Sequence, residues 1–352
     1  MARGLWVEEH ETDAFRKEVA HALDNMVRSD ALLGAIAKAN PEARGGANED
    51  VRREAVGGWP DLHMHANALL REPRAEDFMR RLERLHDDVL SHVTADADRS
   101  LLNLIHHASL DQHHYSASHS MLVMVVCHLA CQQLNWPQDW HRPLELAALS
   151  MNIANTALQD QLAEQTNPVS PAQRINIDAH ARTSVELLQS LGVSDPLWLE
   201  AVLLHHTGTP GPLAERSPGQ QLARLIQRAD LFGARLSPRR ARKALTASAA
   251  AKAAYLDENK QADEAGAAII KAVGIYPPGS LVRLANEEIA VVLKRGRSAN
   301  APLVASVIGK SGTPLVELPV RDTRLPTQAV TGSLAPHEVL VRLNMERLLK
   351  LG

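Results

Sequence analysis

Aromatic side chains are scarce in this 352-residue sequence, 3% of the total, with five Trp, three Tyr and three Phe. Packing must therefore fall to Leu, Ala, Val and Ile. Cysteine is nearly absent too. Cys127 and Cys131, four apart on one apolar segment, raise a pair of metal thiolates or a disulfide as functional readings. Small apolar core residues in a reducing compartment explain them more simply. A formal charge of -3 provides no global basic field, so composition gives no reason to expect a nucleic-acid or membrane partner. The longest unbroken apolar run, Met121 to Cys127, falls far short of the ~20 residues of a membrane helix. The acidic N-terminus lacks the basic-then-apolar order of a signal peptide, and the expected location is the cytoplasm. There is no Walker loop and no Gly-x-Gly-x-x-Gly; Gly208-Thr-Pro-Gly211 reads as a turn.

What the chain does have is helical periodicity and length. Single cores stop growing near ~250–300 residues, so one large helical domain with additions, or two domains, is possible. From Asp13 to Ala39, Phe15, Val19, Leu23 and Met26 recur at three- and four-residue steps, as on a helix that Pro41 ends. Residues Asn40 to Gly58, with Gly45, Gly46 and many charges, read as a link before a helical block from Ala75 to Val93. From Arg99 to Val273 the pattern is helix after helix, broken at Trp136-Pro137, Gln165 to Pro168, Gly192, and Thr207 to Gly219. Met121 to Leu134 is apolar on nearly every face, as a central helix should be. Beyond Tyr276 the period shortens: segments from Ser280, Ile289 and Leu303 read as short strands, and Pro336 to Leu351 as strand then helix. The expected fold is mostly α, with an N-terminal helical module (1–95), a helical domain (96–275) and a small β-containing C-terminal segment (276–352).

Seventeen histidines is a high count, and imidazole is a common ligand of Zn, Fe and Mn. His119-Ser120 opens the apolar helix; His180 ends Ile175-Asn-Ile-Asp-Ala; His205-His206 ends Ala201-Val-Leu-Leu; Asp230 ends Leu225-Ile-Gln-Arg-Ala. Taken singly, each is a satisfied core polar residue. Together they form a ligand set spread over several core helices, which is how helical bundles build metal sites. His106-His107 and His113-His114 repeat at seven residues; they read as polar residues of one helix near the mouth of that site, with a surface metal site as the alternative. Arg235, Arg239, Arg240, Arg242 and Lys243 form the densest basic run, suited either to a phosphate or to a solvated face.

In their order these motifs resemble the HD-GYP domain, a bacterial all-helical metallo-phosphohydrolase family that cleaves cyclic di-GMP. The matching residues are Tyr115-Ser-Ala-Ser-His119-Ser120, Leu149 to Asn155, His180 after Pro168-Val-Ser-Pro, His205-His206, Ala229-Asp230, and Val273-Gly-Ile-Tyr-Pro-Pro-Gly-Ser-Leu-Val-Arg-Leu. The ligand motifs lie roughly 25 to 30 residues apart, and the resemblance spans about Leu101 to Gly312. It implies an HD-type helical bundle with His119, His180, His205, His206 and Asp230 as metal ligands, and Arg239 and Arg242 as phosphate contacts.

The departures fall at the chemical centre. The family's His-Asp pair and following Lys are here Met151, Asn152 and Asn155. A thioether is a poor ligand for these cations, and a neutral amide cannot supply a bridging negative charge. The turn after the His pair lacks its Tyr and acidic residue, and Gly233 replaces the second Asp of the Asp230 motif. The surviving ligands are enough for one weakly held Fe, Mn or Zn ion, or the cluster holds none. The resemblance then implies a degenerate HD-GYP protein without confident catalytic residues, a nucleotide-binding or protein-interaction module whose partner is a cyclic dinucleotide, a signalling protein or a second copy of itself. The alternative is an active phosphodiesterase with a reduced metal site.

Overall fold

A computed structural model describes residues 58–110, 114–208 and 211–352. The helix read over Asp13 to Ala39, nearly all of the link after it, and His113 lie outside the described residues. In chain order the α-helices are α1 (Trp59–Arg71), α2 (Phe78–Ala95), α3 (Ala97–Leu110), α4 (Tyr115–Cys131), α5 (His141–Ser150), α6 (Thr156–Glu164), α7 (Pro171–Ser190), α8 (Pro196–Leu204), α9 (Pro218–Leu236), α10 (Ala247–Tyr255), α11 (Glu264–Val273) and α12 (Met345–Leu351). Between α11 and α12 come β1 (Leu281–Leu284), β2 (Ile289–Lys294), β3 (Leu303–Ile308), β4 (Val320–Asp322) and β5 (Val330–Leu334). The molecule is therefore mostly helical with a small C-terminal antiparallel sheet. No described helix is long and apolar enough to cross a membrane.

The apolar run around Met121 is the hub. Every residue of α4 except His128 is buried, and α1, α3, α5, α6, α9 and α11 pack around it. Cys127 and Cys131 are unpaired and buried on this helix. Burial, then Cys131, pushes the Cys127 thiol well up; burial, then Glu145, pushes Cys131 up to about 12. Both are inert core thiols.

Three helices that carry or flank the polar groups begin in the same way, with a capping residue followed by proline. Ser170-Pro171, Asp195-Pro196 and Ser217-Pro218 open α7, α8 and α9, and each cap side chain accepts amide hydrogens of the first turn. Proline loses nothing at that position, because its missing N–H would have had no partner. The start of each helix is thereby fixed, and with it the angular position of His180, His205 and Asp230.

The sheet runs β4-β3-β2-β1-β5 with every neighbour antiparallel. Alternation splits its side chains between two cores. Val282, Leu284, Ala290, Val292 and Val304 join the helical core, which reaches back to Leu62. Leu281, Val291, Leu293, Ala305 and Val307 face away and pack with Leu102, Val339 and Leu348. The three strands read from the sequence are present, whereas Pro336–Glu338 is a 3-10 turn rather than a strand. Helix α1 had no sequence reading.

Far from the sheet, Glu145 of α5 is buried and clamped by two histidines. Its oxygens lie 2.7 Å from His86 Nε2 on α2 and 2.6 Å from His128 Nδ1 on α4. His86 Nδ1 lies 2.8 Å from Asp87, and Arg142 bridges Asp87 and Glu83. Burial works to raise the Glu145 pKa, but the hydrogen bonds from His128 and His86 outweigh it and hold the carboxyl down. Burial works to lower His86, but Glu145 and Asp87 outweigh it and raise the imidazole.

The pH window follows from these directions. Glu145 stabilises the fold above its ordinary value of 4.5, and that contribution is lost as pH falls through its depressed folded value. His86 stabilises it below 6.5, and that contribution is lost as pH rises through its raised folded value. Both act together between 4.5 and 6.5. Glu145→Gln should cost about 3 kcal/mol at pH 5.5, where one partner of a buried ion pair is lost, and should remove the decline in stability on the alkaline side. Urea denaturation midpoints between pH 4 and 9 check this; an unchanged midpoint and pH profile would exclude the tie.

Candidate functional site

His180 sits midway along α7, and His205-His206 follow the last residue of α8. Leu191 and Gly192, the latter at φ 95°, turn the chain so that α8 returns along α7. The three imidazoles offer nitrogens that all lie within 4.8 Å of one another. His205 is fully buried and His180 nearly so, while His206 is exposed at the opening. The His206 ring lies on that of His205 at 4.1 Å and meets the edge of His180 at 4.9 Å.

Hydrogen bonding sets the tautomers. His180 Nδ1 lies 2.5 Å from the carbonyl of Ile177, and His205 Nδ1 lies 2.6 Å from the carbonyl of Val202. A carbonyl only accepts, so both Nδ1 atoms carry hydrogen. Both Nε2 atoms then present lone pairs, and they face each other at 3.1 Å. Two neutral imidazoles in these tautomers cannot hydrogen-bond to each other, so the pair is arranged to share a proton or a cation. Burial, followed by the neighbouring His206, pushes His205 down to about 3, and burial also lowers His206. His205 therefore disfavours the proton. Residues of this kind, with Nδ1–H anchored to backbone carbonyls and Nε2 directed inward, fit a divalent transition metal.

His119 and Asp230 form a second pair beside the first. His119 is buried in the second turn of α4, and its Nε2 donates to Asp230 Oδ1 of α9 at 2.6 Å. Burial works to raise the Asp230 pKa, but the hydrogen bond and charge of His119, followed by His206 and His205, hold the carboxyl well below the usual range. Asp230 is thus a negative charge within electrostatic reach of His205 and His206. His119 Nδ1 is buried without a partner. Gly233 lies against that ring, where a Cβ would stand 3.2 Å from His119 Cε1.

The ring of Tyr115, one turn earlier on α4, is parallel to His119 at 5.3 Å. Arg239 covers the outer face of Tyr115 at 5.0 Å and donates to its hydroxyl at 3.2 Å. Arg242 is turned inward instead, donating to the carbonyls of Ala234 and, at 3.4 Å, Ser237. The sequence reading missed the bridging role of Tyr115, although its four-residue spacing from His119 puts both on one face of α4.

Met151, Asn152 and Asn155 occupy the buried turn after α5. Asn155 Nδ2 donates to the Asn176 carbonyl at 3.3 Å, and the Ala154 amide to Ser184 Oγ at 3.3 Å. Residues 176 and 184 bracket His180 by one helical turn on either side, so this turn lies against the His180 stretch of α7. The turn therefore sets the neutral side chains of Met151, Asn152 and Asn155 against the His180 stretch of α7.

The expectation that the remaining histidines share one helix is corrected. Helix α3 is described as far as Leu110, and His114 precedes α4 in a left-handed, non-helical conformation with φ 57°. His107 instead stacks on His63 of α1 at 3.8 Å, with Ser118 Oγ 3.2 Å from Nδ1 of each.

No family model and no solved structure matches the chain. Among curated proteins it is similar to the cyclic di-GMP phosphodiesterase PA4108 of Pseudomonas aeruginosa, 28% identical over 289 residues. The match covers 80% of this chain and 63% of the relative, so the chain spans less than two thirds of the relative's length.

The facing Nε2 atoms predict that Zn²⁺ stabilises the folded chain by about 2.7 kcal/mol at a hundredfold excess over its dissociation constant. His205→Ala should lose most of that gain, while Glu145→Gln, on a remote cluster, should keep it. Thermal denaturation with and without Zn²⁺ measures both, and equal gains in the wild type and His205→Ala would rule the cluster out as the binding site.

Proposed function

We propose that this chain is a degenerate HD-GYP-type protein of cyclic di-GMP signalling, which binds a cyclic dinucleotide but does not hydrolyse it. The observation that carries the reading is the neutral turn at Met151, Asn152 and Asn155 lying beside the His180 stretch of α7. Similarity to a protein named as a cyclic di-GMP phosphodiesterase supports the signalling context and the ligand class.

In this reading His180, His205 and His206 hold one divalent ion, Fe, Mn or Zn. Such an ion supplies Lewis acidity toward a phosphate oxygen. Three neutral imidazoles leave the charge of a dication to be balanced by Asp230 and by the ligand's own phosphates. Arg239, held on Tyr115, is the nearer of the two arginines to this chemistry, because Tyr115 also stacks on His119. Arg242 is committed to carbonyls at the end of α9. With Asn152 at the family's bridging position, there is no carboxylate there to join a second ion, and the two-metal arrangement that activates water is lost.

A second reading, a one-metal phosphodiesterase, is favoured by the intact imidazole cluster and its inward lone pairs. Calorimetry with cyclic di-GMP, combined with chromatography of the products in the presence of Mn²⁺, separates the two. Saturable binding without linear product is expected of the wild type. The double variant Met151→His with Asn152→Asp should gain measurable hydrolysis. Multiple turnover by the wild type would establish the second reading, and no binding at all would remove the cyclic dinucleotide.

A further inference from the structure

A cavity of about 460 Å³ lies between α3, the C-terminal end of α9 and the C-terminal segment. It is separate from the imidazole cluster, although Leu236, on its wall, belongs to the same helix as Asp230. Its walls are aliphatic: Ile105, Leu236, Leu281, Leu334, Val339 and Leu343 all line it. Among the described residues no Phe, Tyr or Trp contributes to the lining, and the one ring there is the His106 imidazole. No Asp or Glu contributes either, and Arg342 is the single permanent charge around it.

One polar group inside is unexplained. Ser280 is 5% exposed and lines the cavity; its amide donates to the Pro277 carbonyl at 3.0 Å and its own carbonyl accepts from Val292 at 2.9 Å. Among the described residues its hydroxyl has no partner, which is unfavourable in an apolar surround. The preceding Gly279 is fixed at φ 92°, where a Cβ would lie 3.1 Å from the Leu102 carbonyl, so Ser280 is held in place. The other polar side chains are satisfied or neutral: Ser109 donates to the His106 carbonyl, and burial, followed by His107, pushes the His106 imidazole down to about 4.

We propose that this cavity is a binding site for an aliphatic monocarboxylate, a free fatty acid of about eight to twelve carbons suited to a pocket of this size. The chain lies among the aliphatic side chains, the head group accepts a hydrogen bond from Ser280 Oγ, and Arg342 supplies the countercharge. This site does not depend on the cyclic dinucleotide reading.

Calorimetry on the full chain with octanoate, decanoate and dodecanoate, below their micelle concentrations, tests it. One molecule per chain should bind, with affinity rising about fourfold per added methylene. Decylamine should bind at least tenfold more weakly than decanoate. Ser280→Ala should weaken decanoate about tenfold, and Leu245→Trp and Val341→Trp, on the lining, should each abolish binding while keeping the wild-type circular dichroism. Phosphatidylglycerol vesicles should not sediment the protein. Absence of saturable decanoate binding, equal binding of the amine, undiminished binding in both tryptophan variants, or vesicle binding in place of decanoate binding would overturn the proposal.

Discussion

Two short hydrogen bonds from imidazole to backbone govern the candidate site. Because His180 and His205 each commit Nδ1–H to the carbonyl three residues earlier, each must turn an unprotonated Nε2 toward the other. The pair is arranged to share a proton or a cation between the two nitrogens. Burial removes the cheapest candidate, a proton on His205. A divalent ion satisfies both the geometry and the desolvation. His206 completes the group of three imidazoles, and Asp230, held ionised by His119, lies within electrostatic reach of His205 and His206.

The rest of the helical frame serves to hold that set still. Helix α4 is buried on all sides and carries His119 near one end and His128 near the other. Each histidine is tied to a carboxylate on a different helix, Asp230 on α9 and Glu145 on α5. One tie faces the site and the other fixes the opposite end. The proline-led starts of α7, α8 and α9 set the rotation of the remaining ligand helices. Neutral Met151 and Asn152 lie in the adjoining turn, against the His180 stretch of α7.

Much of this was legible in the sequence because it is periodic or local. The apolar run of α4, the succession of helices to Val273 and the alternating strands β1 to β3 follow from side-chain spacing alone. The two edge strands were not legible: β4 has three residues, and β5 reads Val-Thr-Gly-Ser-Leu, with few of the branched residues that mark a strand. Of the five residues singled out, His180, His205 and His206 have nitrogens within 4.8 Å of one another, whereas His119 and Asp230 are hydrogen-bonded to each other. The His86 half of the Glu145 clamp and the His63–His107 stack were missed because each joins residues more than 40 positions apart, and no local pattern records such a contact. His114 was misread because a seven-residue repeat implies one continuous helix, whereas the chain leaves helical geometry there.

The most direct test is the metal content of the full chain, purified from cells grown with Fe, Mn and Zn and measured by elemental analysis. One ion per chain, lost together with His180 or His205, is the result that a three-imidazole site beside a neutral turn predicts. Two ions per chain would contradict the account, since a second dication has no anionic bridge at Asn152; no ion with the cluster intact would contradict the argument from the facing nitrogens.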